Sequence, residues 1–152
     1  MDKDESIRFA TKFLEDLLSF FGINVAVYST IEDEVIQLSV PSTSMNSLLI
    51  GKNADNLRAL QYIVSTALTA KSAEITRVSV DIADYKRQRA DRIAERAEEW
   101  INKVRNTSEP MTLDLNPADR RIVHKVATDY SDISTHSEGE GKERKIIISK
   151  IA

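Results

Sequence analysis

Gly51 stands between two apolar helical stripes, and that junction limits the folds open to this chain. Ahead of it, Ser42, Thr43 and Ser44 offer caps for a short helix carrying Met45, Leu48, Leu49 and Ile50. Behind it, Leu57, Leu60, Gln61, Val64, Ala67 and Leu68 mark one face of a helix over about residues 54–70. Two helices joined this tightly need a residue without a side chain at the bend. The pair must also bury both stripes against something else, so the segments around it decide the fold.

Those segments carry two different periods. Ile7, Phe9, Ala10, Phe13, Leu14, Leu17, Leu18 and Phe21 recur at helical spacing across residues 5–21, and Gly22 follows as a stop. Residues 23–28 and 35–40 are short β-branched runs, read as strands with residues 29–34 as the hairpin connection. Pro41 ends the second run. Residues 75–82 alternate imperfectly and read as a third strand. The first half is therefore expected to be α-β-β-α-α-β.

A long helix is expected over about 84–105, with Ile93, Ala97, Trp100, Ile101 and Val104 as its core stripe. Residues 106–110 break it, and 111–115 read as a short strand. Asn116 and Pro117 are a strong helix start, Asn as cap and Pro in the first helical position. That helix runs to about residue 129. Strands over 133–136 and 145–151 follow, joined by a Gly- and Glu-rich loop over 137–142. The class is α+β, with a domain over 1–83 followed by a smaller α-β-α-β-β domain over 84–152 and no flexible linker between them.

Composition narrows the chemistry. The 152 residues include no cysteine, so disulfides, thiolate metal sites and cysteine nucleophiles are excluded together. His124 and His136 are the only histidines, too few for a histidine-rich metal site, and no local carboxylate cluster supports another kind. No metal, cofactor or catalytic residue is expected. No apolar run approaches the roughly 20 residues that span a bilayer. The N-terminal Met-Asp-Lys-Asp-Glu lacks the basic-then-apolar pattern of a secretory signal, so a cytoplasmic location without membrane insertion is expected. The net charge of −3 argues against a nucleic-acid binder, since phosphate contacts supply much of such affinity. Placement of the cations must then carry any such role.

Cations gather at three places. At the first, Gly51 lets a phosphate backbone approach the main chain, and the following helix begins with unpaired N–H groups and a positive dipole end. Lys52, Asn53, Ala54 and Arg58 complete that corner. The bland alternative is a glycine that only permits a tight turn. At the second, Arg120 and His124 are four apart on one helix, beside a core face of Ile122, Val123, Val126, Ala127 and Tyr130. Both are expected to point to solvent, where an arginine fork suits phosphate and a histidine can bond phosphate or stack on a base. Arg121 is a solvent-side neighbour that could share the work. The third is a stripe of Tyr85, Arg89, Arg92 and Arg96 along the long helix, suited to a strand with exposed bases. An ordinary solvated face with ion pairs explains that stripe equally well.

Several segments together resemble a known family. Leu49-Ile50-Gly51-Lys52-Asn53-Ala54-Asp55-Asn56-Leu57 and Leu60-Gln61-Tyr62 are similar to the KH segment of bacterial Jag (SpoIIIJ-associated) proteins. Asn116-Pro117-Ala118-Asp119-Arg120-Arg121-Ile122-Val123-His124 resembles the signature of their R-x-x-x-H single-stranded nucleic-acid-binding domain. Tyr85-Lys86-Arg87-Gln88-Arg89, and Ser137-Glu138-Gly139-Glu140-Gly141 ahead of Arg144, extend the likeness. The resemblance implies a type II KH unit near 5–82, an R-x-x-x-H unit near 84–150, and binding of single-stranded RNA or, failing that, DNA. It further implies a role in RNA regulation or chaperoning, and pairing with a second copy or another KH protein. Ala54 departs from the family, whose clamp has a second glycine there. The family's N-terminal domain is expected to be missing.

Two rivals remain from other classes. A protein-interaction adaptor in cell-division or envelope control would suit the acidic balance and a degenerate clamp. An enzyme would need a nucleophile, metal cluster or carboxylate pair at useful spacing, and none is visible.

Overall fold

The computed structural model describes residues 1–151 and divides the chain into two compact units, the first Met1–Lys86 and the second from Arg87 onward. In the first, α1 (Lys3–Ser19) is opened by a capping box. Asp2 Oδ1 accepts the Glu5 N–H at 2.8 Å and Glu5 Oε2 accepts the Asp2 N–H at 3.0 Å, satisfying two donors that the helix leaves open. Ala10, Leu14 and Leu18 form its buried face.

Strands β1 (Tyr28–Glu32), β2 (Val35–Val40) and β3 (Val78–Ile82) make one sheet in that order, β1 antiparallel and β3 parallel to β2. Helices α2 (Asn46–Ile50) and α3 (Asp55–Ala70) lie between β2 and β3 in sequence. Leu57, Leu60, Val64 and Leu68 of α3 join the α1 face, Ile36, Leu38, Val40 and Val80 in a single core. The expected α-β-β-α-α-β order is present.

The first strand begins later than expected. Only Tyr28 of residues 23–28 lies in β1, and residues 29–32, expected in the connection, are strand. The turn is Asp33-Glu34 alone, both at positive φ (51° and 61°), as a two-residue hairpin turn with matching twist requires. In this register Tyr28 faces Ser39, so extending the ladder would set Ala26 against Pro41, which has no N–H to give. Ile23 and Val27 are instead buried from an irregular segment, and the Val27 N–H donates to Glu15 Oε2 at 2.9 Å. Strand β3 likewise starts at Val78, because its pairing to β2 begins with Ile36 opposite Val78.

In the second unit, α4 (Tyr85–Thr107) turns Ile93, Ala97, Ile101 and Val104 inward. Strands β4 (Met111–Leu113), β6 (Lys145–Lys150) and β5 (Ile133–Glu138) form an antiparallel sheet in that spatial order. Helix α5 (Pro117–Ala127) lies between β4 and β5 in sequence and buries Val123 and Ala127 with Ile101, Ile133, Ile146 and Ile148. Strand β5 runs two residues past the expected end, because Ser137 and Glu138 pair with Ile146 and Lys145. Ser137 therefore sits on a strand rather than in a loop. No helix among the described residues is long and apolar enough to cross a membrane.

Candidate nucleic-acid interface

Helix α5 begins as its sequence requires. Asn116 Oδ1 accepts the Asp119 N–H at 2.8 Å, and Pro117 fills the first turn. Arg120 and His124 follow one turn apart. Both were expected to point to solvent; both are half-buried and bonded within the second unit. Arg120 Nη1 donates to the Leu115 carbonyl at 2.7 Å and to the Arg144 carbonyl at 3.2 Å. One nitrogen thus serves both carbonyls, and no bond within the described residues engages the other two. The guanidinium is held, not free to sweep.

His124 is held the same way from the sheet. Its Nδ1 lies 2.6 Å from Thr135 Oγ1 and its Nε2 3.2 Å from Ser137 Oγ. Thr135 and Ser137 are two apart on β5, so the pleat sets both on one face. Burial first, then the positive fields of Arg120, Arg144 and His136, lower the imidazole pKa below its ordinary 6.5. At neutral pH the ring is uncharged, offering one donor and one acceptor. An open cleft of about 560 Å³ flanks Arg120, lined also by Asp114, Asn116, Pro117, Gly141 and Lys142. Arg121 is exposed one step around the helix.

The stripe on α4 does not form one charged face. Arg89 Nη2 bonds the buried carboxylate of Asp119 at 2.7 Å, so this cation is committed to holding α4 against α5. Arg96 lies over the Trp100 ring at 5.0 Å. Tyr85 is half-buried against the core of the first unit. Arg92 is exposed and has no ion pair among the described residues.

Around Gly51, φ of 74° with ψ of 179° is a conformation for glycine alone. A Cβ there would sit 2.8 Å from the Asn56 side chain, which itself ties α3 to α2 by donating to the Leu48 carbonyl at 2.7 Å. Asn53 and Ala54 both take left-handed backbone (φ 54° and 60°). Ala54 thus adopts the conformation that a second clamp glycine would favour, and does so under strain. No side chain caps α3, but its first residue, Asp55, donates its N–H to the Lys52 carbonyl and sets a carboxylate in the first turn; the Lys52 side chain is exposed beside it. Arg58 pairs with Asp55, both at the surface.

Thr135 was expected on a strand and Ser137 in the loop after it, so their shared face was not read from the sequence. Nothing there signalled that they hold His124, or that Asp119 takes Arg89 and the Leu115 and Arg144 carbonyls take Arg120. These contacts cross from one element to another.

Comparison with known families matches residues 91–150 to the R-x-x-x-H domain, the single-stranded nucleic-acid-binding domain named for an Arg and a His separated by three residues. The match takes in the Arg120/His124 helix and both strands of the β5–β6 hairpin. Similarity to characterised proteins reaches beyond it. The chain is 31% identical to the RNA-binding protein KhpB of Clostridium symbiosum over 145 residues, 92% of this chain and 64% of that protein. It is 31% identical to the protein of the same name in Bacillus subtilis strain 168, over 68% of this chain and 51% of the relative. For the Lactiplantibacillus plantarum protein the identity is 28%, over 70% of this chain and 34% of the relative. The chain spans less than two thirds of the length of each. The resemblance to the Jag family holds over most of the chain, the R-x-x-x-H domain included. Among the described residues, no group of His, Asp and Glu could hold a metal ion.

Proposed function

We propose that this protein binds single-stranded RNA, with the Arg120/His124 corner and the Gly51 corner as its strand contacts. The observation that carries this reading is the fixed Arg120 guanidinium beside an open cleft, within a matched R-x-x-x-H domain. Relatives named as RNA-binding proteins support RNA as the strand. A guanidinium already held by two carbonyls loses little freedom on taking a phosphate, so its donors act at low entropic cost. His124, with both ring nitrogens engaged by Thr135 and Ser137, gives the corner its fixed shape and can offer the strand its ring face. Lys142 lines the same cleft, with Asp114 as its acidic member, and Arg121 is exposed at the next position of the helix.

At the first corner, Gly51, Lys52 and the N–H groups of the first turn of α3 beyond Asp55 accept a backbone phosphate. The protein then acts as an RNA regulator or chaperone in a bacterial cytoplasm, binding its strand without catalysis. The test is titration of a fluorescently labelled single strand at several salt concentrations. Affinity should fall linearly on logarithmic axes as salt rises, with a slope of about −0.7 per phosphate contacted. Arg120→Ala with His124→Ala should weaken binding at least several-fold while the protein stays folded. Wild-type affinity in that variant rejects the corner as a site.

One observation favours pairing in addition. Phe21, Leu48 and Ile63 are exposed around an apolar cavity of about 240 Å³ on the first unit, and a second copy would cover them. Leu48→Asp should then lower the mass seen in sedimentation if the wild-type protein is a dimer.

A further inference from the structure

The two hydroxyls that hold His124 are not equivalent. Thr135 Oγ1 lies 2.6 Å from Nδ1, while Ser137 Oγ lies 3.2 Å from Nε2. A neutral ring carries its proton on one nitrogen and accepts at the other, so one hydroxyl donates to it and the other accepts from it. An N–H donor stays about 2.7–3.2 Å from an oxygen, whereas a hydroxyl donor comes closer. The short contact is therefore Thr135 O–H donating to Nδ1, and the long one is Nε2–H donating to Ser137 Oγ. Ser137 then keeps its own proton to give elsewhere, and no acceptor among the described residues takes it. The residue is half-buried, so part of it meets water.

The surroundings of that hydroxyl are cationic. Ser137 pairs with Ile146 across the β5–β6 ladder, two residues from Arg144, whose carbonyl holds Arg120 Nη1 at 3.2 Å. The Arg144 side chain is fixed as well, its Nη1 donating to the Gly139 carbonyl at 2.8 Å. The positive fields of Arg120 and Arg144 both reach the His124 ring. Glu138, the next residue, falls on the opposite face of the strand and pairs with His136 at 3.1 Å, so its carboxylate is turned away. A hydroxyl donor beside two held guanidinium groups suits an anionic oxygen, and a strand offers one at every phosphate. We propose that Ser137 is a strand-contact residue that donates its hydroxyl to a backbone phosphate oxygen of single-stranded RNA, with Thr135 and His124 as positioning residues that turn that proton outward. The inference rests on the RNA-binding reading and adds to it an atom that touches the strand beside Arg120.

The test uses the full chain and a fluorescently labelled oligouridylate. Ser137→Ala should weaken binding about ten-fold, the loss of one hydrogen bond to a charged acceptor. The salt slope should stay at the wild-type value, because a neutral donor displaces no counterion. Ser137→Thr should restore affinity, since it keeps the hydroxyl. In protein labelled with nitrogen-15 histidine, NMR at neutral pH should find the His124 proton on Nε2. Thr135→Val should move part of that population to Nδ1 and weaken binding, and Thr135→Ser should restore both. A proton on Nδ1 in the wild-type protein overturns the Ser137 contact. So does a salt slope that falls in Ser137→Ala, because Arg120 has then been displaced. Wild-type affinity in Ser137→Ala, while Arg120→Ala with His124→Ala binds poorly, overturns it too and leaves the RNA reading standing. A wild-type protein that binds no strand overturns both.

Discussion

Arg89 Nη2 and Asp119 Oδ2 lie 2.7 Å apart, and the carboxylate is far more buried than its partner, 6% exposed against 42%. A buried charge that loses its opposite charge costs more than an exposed pair gains. Arg89→Ala should therefore destabilise the second unit by about 2 kcal/mol, below the full cost of a buried pair because water reaches the guanidinium. A lowered urea midpoint with unchanged slope checks this. A stable variant that binds RNA poorly would return Arg89 to the strand-contact role expected from sequence.

Arg120→Lys keeps the charge and loses the fork. An ammonium can meet the Leu115 or Arg144 carbonyl, but it has no second planar face for phosphate. Strand affinity should drop several-fold while the salt slope stays near the wild-type value. A titration matching wild type would mean that Arg120 acts as a point charge only.

Ala54 is strained at φ 60°, a conformation that costs an L-residue roughly 1 kcal/mol or more. Ala54→Gly should raise stability by about 0.5 kcal/mol after the extra freedom of the unfolded glycine is counted. It should also tighten strand binding, since the methyl beside the first turn of α3 is gone. Gly51→Ala should do the reverse and lower stability by more than about 1 kcal/mol, because its Cβ would meet Asn56. Thermal melts of the two variants should move in opposite directions.

The lowered pKa of His124 sets a pH dependence. The unfolded chain takes up its proton near pH 6.5, before the folded protein does. The contribution of the neutral ring is therefore complete above about pH 6.5 and drains away as pH falls through the lower folded value. Urea midpoints should be flat between about pH 7 and 8 and decline below 6.5. His124→Gln should remove much of that decline. An unchanged acid limb in the variant would assign it to other groups.

Much of the fold was legible because its signals are local. Helical stripes, the Asn116-Pro117 start and the Gly51 break all act within a few residues. The strand limits were less legible. Whether residues 23–27 pair depends on Pro41 across the sheet, and the end of β5 depends on β6. The Arg-x-x-x-His motif was equally plain, but the directions of its side chains were not. A helical wheel places Arg120 and His124 beside the core stripe without knowing that carbonyls and hydroxyls wait there.

The order of elements, the α+β class, the two apolar cores and the chemical types at each corner were all written in the chain. They follow from period, capping and backbone restriction, which nearest neighbours control. Which cations remain for a ligand was settled by folding. Arg89 is spent on Asp119 while Arg77 and Arg92 have no such partner among the described residues, because ion pairing depends on distances between residues that the chain order separates widely.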